Sequence, residues 1–520
     1  MSPSSDRRNA FARWAWPLAV LGLFLLRAPH LSGPLDDPHS WRQCDTSFYT
    51  WDFVKHGIDV MHPKVSWLGG HGTLIFEFPL PEALAALLGK AFGFSVVWDR
   101  VVALAFTALA AWWFHRIARD LAGTTAARIA TAVYLLAPIS QFYSRAPQVD
   151  FAAQAFAQGF LWHAWRSMRG GGWGHALGAA ACGALAAMIK VPYLLPVLPP
   201  LALLALGAGS LTALAGTFVA LAGTGAAFLA WRAHVNAVNG AVPDWNWLPG
   251  FYKEVNPWWW YVGDWHTRLK PANWLKLAHR VVFELATPLG ALQAAVGLFT
   301  SAPRRDGGPT PAIFAGAWAL GAFAYVAVFF PLNLIHNYYQ LPLVAPVALL
   351  VGIAIGRQSG HGNALVRAVA VLSFVGIAAL AVLMPVKLHW YRVDTLREAA
   401  GAAIAQYVPE NDLVVVVDHN SEYSDPRTLT RARRFGWPVM KADLTPELEA
   451  RLAHEGAGWV AWIQEPGDSM LVPPAYLEGS RVARVPLPHA ERSGLTAGAA
   501  GAALDTLHLY RIALPGGAPR

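Results

Sequence analysis

The sequence predicts a polytopic α-helical membrane protein of about eleven transmembrane helices with a small C-terminal α/β domain. Three observations predict it. Of 520 residues, 55% are hydrophobic and only 14% charged, whereas soluble domains carry roughly 25% charged residues. The apolar residues form long, continuous Leu/Ala-rich runs, which suit helices rather than the short alternating segments of a barrel. After Lys387 the runs become short, and strand-like and helix-like patterns alternate.

A membrane-crossing helix needs about 20 apolar residues. Eleven such runs fall near 14–30, 96–117, 124–142, 148–166, 174–190, 192–208, 211–232, 279–301, 311–331, 338–356 and 364–386. Arg7, Arg8 and Arg13 precede the first, which resembles the apolar part of a signal peptide. No small-x-small cleavage site follows it, so an uncleaved first helix is expected. The fourth run is interrupted by Gln154, Gln158 and His163. Residues 80–93 are too short to span comfortably and read as an amphipathic or re-entrant helix at the interface. In the tail, DLVVVVD (412–418), GWVAWIQ (458–464) and DTLHLYRIAL (505–514) read as strands, and TPELEARLAHEG (445–456) as a capped helix. The expected division is a transmembrane domain over 1–390, with 31–95 as its first outer loop, and an outer α/β domain over 391–520.

Short-loop cations set the orientation. Arg7, Arg8, Arg13, Arg116, Arg119, Arg128, Arg166, Arg169, Arg304, Arg305, Arg357 and Arg367 fall on one side of an eleven-helix arrangement, which is therefore cytoplasmic. The N-terminus is then cytoplasmic and the C-terminal domain periplasmic, in a multi-pass protein of the cytoplasmic membrane. The formal charge of +8 follows from these loops, and no nucleic-acid partner is expected because no basic stripe or known module is present. Two cysteines, Cys44 and Cys182, support neither a disulfide framework nor a metal cluster, and Cys182 reads as a small core residue.

The polar residues expected on the outer side recur at helix ends. The first loop, LDDPHSWRQCDTSFYTWDFVKHGIDVMHP, carries Asp36, Asp37, Arg42 and Asp45, and Glu77 follows in an EFP segment. Arg145 and Asp150 bracket the next outer bend, Lys190 sits at a proline-broken hairpin, and His336, Asn337, Tyr338 and Tyr339 lead the tenth span. Ionisable residues at a membrane are functional-site hypotheses by default: acids serve as bases or metal ligands, and cations hold phosphate. Each also has a plain structural reading. Asp36, Asp37 and Glu77 read as solvated charges, Asp45 as a cap for a helix starting near Thr46, and Arg145 with Asp150 as a mutual ion pair. Lys190 reads as a snorkelling side chain, and Tyr338–Tyr339 as part of an aromatic belt. The Trp258–Trp259–Trp260 run with Trp245, Trp247 and Trp265 reads as an interfacial belt, with stacking on a sugar or acyl chain as the sharper reading.

Together these motifs resemble a known class. DxHxWRQxD (Asp37, His39, Trp41, Arg42, Gln43, Asp45), then GxD, Pro63 and the EFP of Glu77, are similar to bacterial membrane glycosyltransferases of the GT-C class. The resemblance is to the branch related to protein mannosyltransferases and lipid A aminoarabinose transferases (glycosyltransferase family 39). It continues through SRAPQVD, Lys190-x-Pro192, HNYY and EYSDPRTLTRARRFGW. It implies transfer of a sugar from a polyprenyl-phosphate donor to a lipid, glycan or protein acceptor on the outer face. By resemblance Asp37 is the first choice for the base, with Asp45 and Asp36 as rivals, because an Asp36-Asp37 pair replaces the common Asp-Glu. Asp150 is the second acid, and Arg145, Lys190, His336 and Tyr339 are candidates for the donor phosphate. Arg42, Glu77 and Tyr338 are candidates for substrate contact, and a divalent metal (Mg or Mn) on Asp150 and Asp37 is a further implication. A transporter or flippase of lipid-linked sugars is the alternative, which predicts charges near the midplane and repeated halves with broken helices. A non-catalytic scaffold whose outer domain binds a partner is the third reading.

Overall fold

The computed structural model describes residues 3–208, 211–251, 258–300, 308–419, 423–465, 472–487 and 505–512. The chain forms two compact units. The first comprises Met1–Ser32, Arg100–Ala233 and Asn256–Tyr391, and the second Gly33–Asp99, His234–Val255 and Arg392–Arg520.

The first unit is helical. Among the described residues six segments are long and apolar enough to cross a membrane: Val96–Leu136, Asp150–Leu206, Leu214–Gly240, Pro311–Val328, Asn337–Ser359 and Ala364–Lys387. Some hold more than one expected span. Gly123, at φ 82, breaks the 41-residue helix Val96–Leu136 between the second and third expected runs. The fourth to sixth share Asp150–Leu206, interrupted by a π-turn at Ser167–Gly171 and a 3-10 stretch at Val191–Val197. The expected run at 279–301 is sharply bent: Pro271–Ala286 and Pro288–Phe299 meet at 94°. Thr287 makes the corner at φ 64, its hydroxyl caps Gly290 N–H, and Pro288 opens the second arm.

Polar groups inside this bundle need partners, because lipid offers none. Gln154 and Gln158, which break the fourth run in sequence, both turn inward to the Tyr134 hydroxyl, at 2.9 and 3.5 Å. Arg27 is buried and donates to Ser144 Oγ (2.6 Å) and to the Leu135 carbonyl (2.7 Å). Small residues bring backbones together: a Cβ on Gly297 would stand 2.1 Å from the Leu350 carbonyl oxygen.

The second unit is built on a five-stranded sheet of order β2-β1-β3-β5-β4, with β1 Leu413–Asp418, β2 Gly436–Met440, β3 Ala457–Gln464, β4 Arg481–Leu487 and β5 Asp505–Arg511. β1 pairs in parallel with β2 and β3, while β5 runs antiparallel to β3 and β4. Val414 to Val417 are all buried, as a central parallel strand requires. The helix at Pro446–His454 begins where expected, with Thr445 accepting from Leu448 N–H. The connection EPGDSMLVPP lies largely outside the described residues.

Two remote segments complete this core. Ser66 and Gly69 exchange backbone hydrogen bonds with Gly436 at the start of edge strand β2, at 2.9 and 2.8 Å. Trp245 is buried beside Trp437, with ring centroids 5.8 Å apart. Trp245 is therefore a core residue and not part of an aromatic belt, whereas Trp258, Trp259 and Trp265 are exposed.

The tightest point in this unit is Gly436, where a Cβ would lie 1.8 Å from the Val414 carbonyl oxygen. Gly436→Ala is expected to destabilise the protein by about 2–3 kcal/mol through forced strand displacement. A thermal melt of the detergent-solubilised protein tests this; an unchanged midpoint would refute the packing argument.

Candidate functional site

The candidate residues fall into two clusters, one per unit. The first-unit cluster rests on a helical hairpin. Asp150–Arg166 and Gly172–Lys190 run back to back, so the first residue of one lies beside the last of the other. The Lys190 ammonium donates to Asp150 Oδ1 at 2.8 Å, and the Tyr193 hydroxyl donates to the same oxygen at 2.7 Å. Each charge also sits at the helix end whose dipole favours it, the acid at an N-terminus and the cation at a C-terminus. Asp150 thus pairs with Lys190 and not with Arg145, and Lys190 does not snorkel: only 9% of its side chain is exposed.

The remaining faces of the ammonium look onto aromatic rings. It lies 4.4 Å from the Tyr339 ring centroid and 5.2 Å from that of Tyr338. His336 stacks on both rings, at 5.2 and 5.9 Å. Tyr338 is buried, so the pair is more than a surface belt. Asn337 joins this turn to its surroundings, accepting from the Tyr143 hydroxyl (2.6 Å) and donating to Glu284 (2.7 Å). Arg145 is fully buried, donating to the His30 carbonyl and lying beneath the rings of Tyr391 (4.8 Å) and Phe142 (5.1 Å).

The second-unit cluster is organised by the helix Ser40–His56. Its start is six residues earlier than the cap reading of Asp45 requires, and that reading is corrected. Asp37 braces the helix start from two residues outside its N-cap, His39: its Oδ1 accepts from Ser40 N–H (3.1 Å) and Ser40 Oγ (2.7 Å). Asp37 is half-buried, and its backbone N–H donates to the Arg392 carbonyl. Asp36 is buried, and its carbonyl accepts from Gln43.

Asp45 lies inside the helix and is buried, accepting from the Trp67 indole (3.1 Å) with Arg42 3.8 Å away. Arg42 also pairs with Glu77 and covers the Phe76 ring, so Glu77 is not a free surface charge. Burial lifts the Asp45 carboxyl to about 7, against the opposing pull of Arg42 and the Trp67 hydrogen bond. Glu82, overlooked in the sequence, is buried on the inner face of Leu80–Phe92, and burial lifts it to about 8. Its signal was available: a glutamate on the apolar side of an amphipathic helix. A third feature, also overlooked, is a buried network in which Arg397 bonds Asp394 (2.5 Å) and Asp418 (2.7 Å), and Arg427 bonds Asp425 (2.6 Å). Arg427 reaches the ring of Trp41, which ties the EYSDPRTLTRARRFGW motif to DxHxWRQxD.

The divalent-metal expectation finds a poor donor set. Mg and Mn favour several oxygen ligands, yet Asp150 Oδ1 faces an ammonium and a hydroxyl that both donate to it. Among the described residues no three His, Cys, Asp or Glu side chains converge as a metal's ligands would.

No sequence-family model and no curated protein sequence matches the chain. Solved structures do. The chain is similar to ArnT from Cupriavidus metallidurans bound to undecaprenyl phosphate, with a TM-score of 0.60 at 14% identity, covering 98% of this chain and 100% of that one. It is similar to the archaeal oligosaccharyltransferase AglB from Archaeoglobus fulgidus, in complex with an inhibitory peptide and a dolichol-phosphate. There the TM-score is 0.54 at 11% identity, over 87% of this chain and 70% of that one. Arabinofuranosyltransferase AftD from Mycobacteria gives 0.55 at 14% identity, and 96% of this chain spans 41% of its length. The fold is that of the GT-C glycosyltransferases.

Two expectations follow from the charges. Asp150→Asn leaves the Lys190 ammonium without its counter-charge and is expected to cost about 3–5 kcal/mol. Asp150→Asn with Lys190→Met should recover most of that loss, a pattern readable by a double-mutant cycle of thermal melts; additive losses would contradict a coupled pair. For Asp45, the folded state keeps a proton that the unfolded state releases above the ordinary carboxyl range. Its contribution to stability is therefore greatest at acid pH and is lost as pH rises toward about 7. Asp45→Asn should raise the melting midpoint at neutral pH and leave it unchanged near pH 4; the opposite pH trend would refute the burial argument.

Proposed function

We propose that this protein is a glycosyltransferase moving a sugar from a polyprenyl-phosphate-linked donor to a hydroxyl on a lipid, glycan or protein acceptor. The observation that carries the reading is the full-length likeness in fold to ArnT, solved with undecaprenyl phosphate. A lipid-linked donor also accords with helices apolar enough to cross a membrane. The reaction is placed at the outer face of the cytoplasmic membrane, with the N-terminus inside and residues 391–520 outside, as the loop cations suggest.

The acceptor oxygen attacks the anomeric carbon while a carboxylate takes its proton, and the bond from that carbon to the phosphate oxygen breaks. The polyprenyl phosphate departs with the electron pair. The steps therefore need a base at the acceptor and positive charge at the leaving group. Asp37 remains the first choice for the base: it is half-buried, and Ser40 engages only Oδ1. Asp45 is the rival whose proton affinity lies near neutrality, where a general base is most effective; Asp36 is the third.

At the leaving phosphate, Lys190 is the proposed contact, assisted by His336 and Tyr339. Asp150 is proposed as a positioning residue: it fixes one N–H of the ammonium and orients the others. Arg145, enclosed by rings, contributes its field rather than a direct contact. Arg42, Glu77 and Tyr338 are proposed to shape the substrate's surroundings.

The test uses purified protein in nanodiscs, radiolabelled polyprenyl-phosphate sugars and cell-envelope extract as acceptor. Asp37→Asn is expected to lower transfer by about 10²–10⁴-fold with donor binding retained, and Lys190→Gln to weaken donor binding. If Asp45→Asn shows the large loss instead, and it also abolishes a rise in rate toward pH 7, the base is Asp45. Unchanged transfer in every variant would defeat the assignment.

A further inference from the structure

Away from these clusters, the second unit carries a groove of about 410 Å³ lined by Trp51, Ala405, Glu410, Arg431, Arg433 and Arg434. Its volume is in the range of small-molecule sites. Its charge is unbalanced. Arg431 is paired with Glu398 at 2.7 Å, and Glu410 with Lys55 at 3.0 Å. The Arg434 guanidinium is spent on main-chain carbonyls of Val408, Ala405 and Ala432, so its hydrogen bonds are satisfied, and Glu410 and Asp412 are its nearby opposite charges. Arg433 is exposed and lies over the Phe94 ring at 4.8 Å, and no carboxylate pairs with it among the described residues.

The backbone at Arg433 points the same way. It closes the helix Arg427–Ala432 in the left-handed region, at φ 54, with Arg433 N–H on the Thr430 carbonyl and Arg434 N–H on that of Leu429. Glycine is the usual residue at that position of such a cap, because a side chain there is strained. Here the position places an arginine on the wall of a groove that Arg431 and Arg434 also line. Burial and the neighbouring Arg431 charge lower Arg433's hold on its proton, with Glu410 opposing them, and a second anion would relieve the remainder.

We propose that this groove binds a phosphate group, held by the Arg433 and Arg431 guanidinium forks against the apolar wall of Trp51. Guanidinium is suited to phosphate because its planar donors engage two oxygens at once. The inference does not depend on the transfer reaction. The phosphate is either a lipid headgroup's or that of a soluble molecule, and the two are separable.

The full-length protein in neutral detergent is titrated calorimetrically with inorganic phosphate and, separately, with dihexanoyl phosphatidic acid. Saturable binding of at least one probe is expected, weakened at least about tenfold in Arg433→Gly. That variant's melting midpoint should be equal or higher, because glycine is at ease at φ 54. Arg431→Gln, which keeps the cap intact, should weaken the same probe. Binding of phosphate alone marks a site for soluble phosphates, and binding only of the lipid marks a headgroup site. The proposal is overturned if neither probe binds, or if both variants bind like the wild type.

Discussion

The interaction on which the first unit's polar cluster depends is the 2.8 Å contact between Lys190 and Asp150. Each charge alone would cost several kcal/mol to bury, and only mutual pairing with added hydrogen bonds makes the site tenable. Tyr193 supplies one such bond, and the faces of Tyr338 and Tyr339 supply a softer neighbour for the cation. The hairpin geometry follows from this need. Helices of 17 and 19 residues, joined by a short π-turn, are matched in length so that both ends return to the same level.

Much of this was legible in the sequence, for identifiable reasons. Apolar runs and arginine-bearing loops are local signals, so the helical class and the turns carrying Asp150, Lys190 and His336 could be read directly. Pairing is not local. That Asp150 chooses Lys190 over Arg145, five residues away, is decided by a hairpin that only the folded chain reveals. The bend at Thr287 was hidden because the apolar composition runs through it, and only the Thr-Pro dipeptide marked the corner. Asp45 was misread as a cap because the DPHS stretch before it also starts helices, and Asp37 is the acid that braces the start here.

The second unit shows the other limit. β2 and β4 escaped notice because Gly436–Met440 contains a proline and Arg481–Leu487 alternates charge with small apolar residues. Trp245 looked like a membrane-belt residue by the company it keeps, and only its contact with Trp437 reveals a core position. Large aromatic side chains serve both roles, since their area rewards burial and their polar edge tolerates an interface. Composition alone cannot separate the two.

The way this unit is assembled bears on how the chain matures. Its core joins Tyr49, Trp245 and Leu509, which stand in three segments separated by long stretches of apolar helix. During synthesis the first of these emerges long before the last, and Phe48 and Trp51 lack their ring partner until Phe435, just ahead of β2, has been made. Contacts of such sequence separation form late, because loop closure must precede their reward. The Ser40–His56 helix therefore waits, with Phe48 and Trp51 short of that partner, through the translation of more than three hundred residues. A nascent chain of this design calls for shelter on the side of the membrane where that helix emerges, and termination before Phe435 leaves those two rings without their partner.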